Sequence, residues 1–214
     1  MAVSPEIKLA IYNAALGHLG SRDLASLTEA REPRRVMDRV WGTDNEVVRY
    51  ALGRGEWNWA LRTILIDYTP SIEPGFGFLR AFTKPDDFLR LAGLSDDEYL
   101  KNPLDNNQYQ DEAGYWLADI DVLYVRYVSS DDGYGMDSSK WSVAFKKYIE
   151  LYMAHEACER ITNSTAKKDR LRRDAMDLLK EAKSHDAMDE GVKYLPSGSW
   201  VRSRNSSRFG LRNR

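Results

Sequence analysis

The chain has 214 residues, of which 43% are hydrophobic and 30% charged, with a formal net charge of −2. That is enough for one well-filled core, or a main domain with a sizeable insertion, in an ordinary globular composition. A single cysteine, Cys158, excludes an intrachain disulfide and any multi-cysteine metal site. No stretch approaches the ~18 apolar residues of a membrane span, and the opening MAVSPEIK lacks the apolar run of a secretory leader. The expectation is a soluble protein made in the cytoplasm, with no membrane partner.

In chain order, Ser4-Pro5-Glu6 predicts a helix start: a hydroxyl cap, proline in the first turn, and an acid at the positive end of the helix. Ile7, Ile11, Ala14, Ala15 and Leu19 share its apolar face, and Gly20 ends it. A second helix is predicted from Pro33, with Val36, Val40, Val47 and Leu52 inward, weakened at Gly42 and closed by Gly53 and Gly55. Trp57 and Trp59 read as core anchors where helix passes into strand. Ile64–Tyr68 is expected as a strand, Thr69–Gly75 as a turn, and Phe76–Phe82 as the return strand. Pro85-Asp86-Asp87 predicts a short helix over DDFLRLAG, and the polar Asp96–Asn107 a loop. Tyr115–Val128 is the strongest strand signal, with Asp111–Gly114 as the turn before it. Helical spacing then returns: Trp141, Phe145, Tyr148, Tyr152, His155 and Cys158 fall on one face. From Thr165 to about Glu190 a charged helix turns Leu171, Ala175, Leu178, Leu179 and Ala182 inward.

The fold class expected is α+β, mainly α: a helical bundle body with a β-rich insertion and an extended C-terminal arm. Residues 1–61 would supply the N-terminal helices, 62–130 the insertion, 131–190 the C-terminal helices and 191–214 the arm. Charge divides unevenly along this order. Residues 191–214 hold six basic residues and no acid; residues 1–190 hold 25 basic and 33 acidic, so body and arm carry about −8 and +6. The arm has too few large apolar groups to order itself, so it reads as a docking segment that orders on a partner.

Motifs for chemistry are missing or incomplete. His155-Glu156 begins an HExxH pattern, but Glu159 stands where the second histidine belongs. Gly-x-Gly pairs at 53/55, 75/77 and 133/135 lack the third glycine and the strand-to-helix context of a dinucleotide site. His18, His155 and Cys158 read as packing groups on buried helix faces. A glycosidase would need two carboxylates about 5–10 Å apart across a cleft. None of Asp86/Asp87, Asp96/Asp97/Glu98, Asp119/Asp121 or Asp131/Asp132 is singled out by its sequence context. The expectation is no enzyme, no cofactor and no metal.

Several segments occur together in an order that resembles a known family: NAALGHLG at 13–20, SLTEA at 26–30, WNWA at 57–60, AFTKPDDFLRL at 81–91, DVLYVRYV at 121–128, WSVAF at 141–145 and PSGSW-x-R-x-R at 196–204. The series, spread over nearly the whole chain, resembles the head-to-tail adaptor (tail tubular protein A) of short-tailed bacteriophages. That resemblance implies a virion protein at the head–tail junction, forming a ring of twelve copies beneath the portal protein and carrying the tail nozzle protein. It implies that the arm reaches the portal; by residue type, the aromatic and arginine side chains expected to bind there are Tyr194, Trp200, Arg202, Arg204, Arg208 and Phe209. Ring contacts are expected between Glu29 or Glu32 of one copy and Lys167, Lys168 or Arg172 of the next. Genomic DNA would pass through the ring without specific binding, because acidic bodies repel phosphates. A DNA-binding assembly protein using the basic arm, and a cell-wall hydrolase of the tail, are the alternatives; no motif here matches the hydrolase activity credited to some related adaptors.

Overall fold

The computed structural model describes residues 3–189. They form a mixed helix-and-strand fold of five α-helices and two three-stranded antiparallel sheets. None of the described helices is long and apolar enough to cross a membrane.

Helix α1 (Pro5–Leu19) begins as its sequence dictates, the Ser4 hydroxyl accepting from the Ile7 amide at 3.3 Å. It ends at Gly20, whose φ of +75° is left-handed and therefore suits glycine. Ile11, Tyr12, Ala15, Leu16 and Leu19 are buried, but His18, expected on the buried face, is exposed. It falls between Ala15 and Leu19 in sequence, outside the stripe that those residues form.

The second expected helix is two. α2 (Glu32–Trp41) and α3 (Glu46–Gly53) are separated by a 3-10 turn at Thr43–Asn45. Gly42 does more than weaken the helix: it, Asp44 and Asn45 all take positive φ, which reverses the chain. The Trp41 indole donates to Asn45 Oδ1 at 2.8 Å and pins that reversal. Trp57 is buried as expected, its indole N–H donating to the Ala51 and Leu52 carbonyls at the end of α3, which also accept the Arg54 and Gly55 amides. Trp57 and Trp59 both meet the Phe145 ring at 4.9 Å.

All six strands lie between α3 and the fourth helix. β1 (Leu61–Asp67), β6 (Val122–Ser129) and β3 (Phe88–Ser95) form one sheet, in the order β1-β6-β3. β2 (Arg80–Thr83), β5 (Tyr115–Ala118) and β4 (Tyr109–Glu112) form the other, in the order β2-β5-β4. Three expectations are corrected here. Phe76–Phe82 is not a return strand for β1: only Arg80–Thr83 is extended, and β1 pairs instead with β6, Leu61 opposite Val128 and Asp67 opposite Val122. DDFLRLAG is not a helix but a turn at Asp86 and Asp87 followed by β3 from Phe88, with Asp87 bonded to Tyr127 of β6. Tyr115–Val128 is two strands, broken at Asp119–Asp121, so that it serves both sheets.

Two cores result. Phe82, Leu94, Trp116, Leu123, Val125 and Tyr127 fill the space between the sheets, with Phe88 edge-on to Trp116 at 5.2 Å. The helices enclose the larger core, which includes Tyr12, Trp41, Trp57, Phe145, Tyr148 and Met153. Helix α4 (Val143–Thr162) is capped by Ser142, and α5 (Thr165–Asp189) packs back along it through Leu171, Ala175, Leu179 and Ala182. Near its end α5 is tied to the start of the strands, where Asp186 accepts the Asn58 amide at 2.9 Å. Tyr152 and His155, expected inward on α4, are only half-buried, while Phe145, Tyr148 and Cys158 are fully buried.

Candidate docking surfaces

Of the five exposed large apolar side chains between residues 61 and 130, four fall on β1 or its connection to β2, Tyr99 being the other. The connection from β1 to β2 exposes Phe76 (92%) and Leu79 (82%), beside half-exposed Leu65 on β1 and Tyr68 just after it. The connection is held at both ends. Thr69 donates its amide to Ala81 O at 2.7 Å, the Thr69 and Thr83 hydroxyls meet at 2.8 Å, and the Leu79 amide donates to Asp119 Oδ1 at 2.8 Å. Arg80 lies over the Tyr68 ring at 4.5 Å and also pairs with Asp121. The apolar tips therefore project from a fastened loop. Between residues 61 and 130 there are twelve acidic and six basic residues, so most of the body's negative charge lies in this part of the chain.

Asp87 joins the two cores. Its carboxylate accepts from the Tyr127 hydroxyl at 2.9 and 3.0 Å, from the Ser129 hydroxyl, and from Arg62 at 3.0 Å. Arg62 also reaches Asp131 at 3.5 Å and lies over the Tyr134 ring. Burial pushes the Asp87 carboxyl up, but the hydrogen bonds from Ser129, Tyr127 and Arg62 together outweigh it and hold it below the usual carboxylate range. Tyr127 moves the other way: burial, and then its bond to Asp87, raise its hydroxyl well above the usual phenol.

Each of the other carboxylate groups weighed as catalytic has at least one member engaged within the fold. Asp97 accepts the Lys101 amide, Asp131 the Gly133 amide, Asp119 the Leu79 amide, and Asp121 pairs with Arg80. On α4, His155 Nδ1 lies 3.2 Å from the Lys168 carbonyl and Glu159 pairs with Lys168 at 2.7 Å, so the HExxE segment joins α4 to α5. Among the described residues no group of three or more histidine, cysteine, aspartate or glutamate side chains is placed to hold a metal.

Four of the five residues expected at a ring contact have partners in their own chain. Glu29 accepts the Ala25 amide at 2.9 Å and Arg31 at 3.4 Å; the amide bond, foremost, holds its carboxyl below the usual range. Glu32 pairs with Arg160 at 3.2 Å, Lys167 donates to the Leu19 carbonyl at the end of α1 at 2.9 Å, and Lys168 pairs with Glu159. Arg172 differs. It lines a cavity of about 270 Å³ with Tyr50, Tyr148, Tyr152 and His155. In that cavity Tyr50 stacks on Tyr152 at 5.0 Å, and burial pushes the Tyr148 hydroxyl up to about 12. The expected portal-binding residues Tyr194, Trp200, Arg202, Arg204, Arg208 and Phe209 lie outside the described residues.

Sequence reasoning missed the exposed loop and the Asp87 cluster. The loop had a signal: glycines at 75 and 77 bracket Phe76, an arrangement poor for a strand and suited to a projecting turn. The Asp87 cluster had none, because its members sit at 62, 87, 127, 129 and 131. No family model matches the chain, and a search of curated proteins finds no match to it.

Proposed function

We propose that the chain is a structural virion protein, the head-to-tail adaptor of a short-tailed bacteriophage, with no catalytic role. It assembles as a ring, likewise of twelve copies, on the portal protein through residues 191–214. The helices make the ring body, and the strand-rich part is a tip on which the nozzle protein is built. The observation that carries this reading is the fastened, apolar β1–β2 connection. Phe76 and Leu79 are held out to solvent by bonds at Thr69 and Leu79, on an acidic part of the chain, as a docking surface requires and a self-contained monomer does not. The series of segments from NAALGHLG to PSGSW adds to it. So does the engagement of Asp97, Asp131 and Asp121, three of the candidate catalytic carboxylates, in turns and an ion pair.

In a ring closed by rotation, each copy offers two different faces to its neighbours. Arg172 and the tyrosines around it are the best ring contact among the expected residues, since the other four already have partners within the chain. The test is sedimentation velocity of the protein with its portal, comparing the full chain with one stopped at Glu190. The full chain joins the portal as a ring and the shortened chain does not. Equal joining by both would sink the arm's role. No joining by either would sink the adaptor reading.

A further inference from the structure

A second cavity, of about 300 Å³, opens where the end of α3, the start of β3 and the last turn of α5 come together. Three cations line it from three distant parts of the sequence: Arg54, Arg90 and Lys183. Its walls are fixed. The Trp57 indole bonds the end of α3, Arg90 donates to the Gly53 carbonyl at 3.4 Å, and a Cβ at Gly55 would stand 2.9 Å from the Trp57 ring. Two carboxylates also line it, and both are engaged. Buried Asp186 accepts the Asn58 amide at 2.9 Å, and half-exposed Glu56 meets Arg90 at 3.7 Å. Among the described residues Lys183 has no hydrogen-bond or ion-pair partner. The lining therefore holds three cations against two carboxylates, and Lys183 and Arg54 pair directly with neither of them.

We propose that this cavity is an oxyanion site for a phosphate group, held by Lys183 and the guanidinium forks of Arg54 and Arg90. Three donors of this kind match the several oxygens of a phosphate, and guanidinium groups bind it through paired N–H bonds. Burial, followed by repulsion from Arg90 and Arg54, holds the Lys183 ammonium below its usual range, and a bound anion relieves that repulsion. The volume admits a free phosphate with room to spare, so both free phosphate and a phosphate of a nucleic-acid backbone or end fit. Arg54 also lines the Arg172 cavity used in the adaptor reading, but Lys183 and Arg90 do not, so the site is tested on those two.

The test is calorimetric titration of the full-length protein with inorganic phosphate, with acetate at matched ionic strength, and with a short oligonucleotide bearing or lacking a 5′-phosphate. Because residues 191–214 are themselves basic, Lys183→Met and Arg90→Gln are compared with a control, Arg202→Gln/Arg204→Gln. All three variants are checked for unchanged circular dichroism. Phosphate binding weakens about tenfold in K183M and in R90Q and is unchanged in the arm control. If the 5′-phosphorylated oligonucleotide shows the same loss, the source is nucleic acid; if inorganic phosphate alone does, it is free phosphate. Phosphate binding that is absent, or indifferent to K183M and R90Q, overturns the site, and acetate binding as tightly as phosphate overturns the assignment to phosphate. The arm control, together with the portal experiment above, keeps failure here distinct from failure of the adaptor reading.

Discussion

Replacing Asp87 by asparagine removes the charge that Tyr127, Ser129 and Arg62 all address while keeping the side chain's shape. A hydrogen bond to an ionised group is worth about 1.5–3 kcal/mol. Arg62 is about one-third exposed (32%), so its pairing contributes at the low end, near 1 kcal/mol. Asparagine retains one carbonyl oxygen, enough for one hydroxyl, and turns an N–H₂ toward the other donors. The expected loss is about 3 kcal/mol, which for a chain of this size lowers Tm by roughly 6–12 °C. The pH dependence follows from the direction of the shift. Asp87 is held below its unfolded value, so its stabilisation is fully present above about pH 4 and disappears as pH falls through the lower folded value. Urea unfolding followed by tryptophan fluorescence between pH 2 and 7 should show the gap between the two proteins constant from pH 7 to 5 and closing below 4. A gap under 1 kcal/mol at pH 7, or one that persists unchanged at pH 2, would refute the network.

Gly135→Ala should destabilise by about 1–3 kcal/mol or more, because its Cβ would lie 2.2 Å from the Ser129 carbonyl and 2.8 Å from Leu52; a urea midpoint equal to wild type would count against that close approach. Trp57→Phe keeps most of the packing and leaves the Ala51 and Leu52 carbonyls with the Arg54 and Gly55 amides, so the lost indole bond should cost about 0.5–1.5 kcal/mol by the same unfolding assay. The pair Phe76→Ser and Leu79→Ser should leave Tm within about 2 °C, because both side chains already face water, while nozzle binding to the assembled ring falls at least tenfold in pull-down titration. Trp200→Ala should weaken portal binding more than tenfold; a change within threefold removes it as an anchor.

The helices were legible because their faces repeat over many residues: α1 from Ser4 to Gly20 and the α4–α5 pair were anticipated to within a residue or two. The strands were legible only where the alternation was unbroken. β3 hid behind two irregularities in its pairing with β6, at Phe88/Arg90 and Leu91/Gly93, which disturb the period of two and let Pro85-Asp86-Asp87 pass for a helix start. The split between β5 and β6 was hidden for the opposite reason. Asp119 and Asp121 sit in a run otherwise so rich in aromatic and β-branched residues that the break was masked, and its cause lies in their distant partners Leu79 and Arg80. Strand pairing was not legible at all, since the partner of β1 is chosen by packing between Ile64 or Ile66 and the β6 face rather than by the nearby turn. The same distance effect hid Arg54, Arg90 and Lys183, which no local spacing unites.

The pairing of β1 with β6 also sets a timetable. Leu61 leaves the ribosome well before Val128, and at roughly 5–20 residues per second its strand waits about 3–13 s for the one that completes it. The α4–α5 hairpin closes over a two-residue link and has no such delay once it has been made. During synthesis, then, the row Ile64, Leu65 and Ile66 is an unpaired apolar edge for seconds, and any nearby copy being made on the same message can add to it. Expression at lower temperature lengthens that wait, whereas a chaperone that shields extended apolar segments covers it.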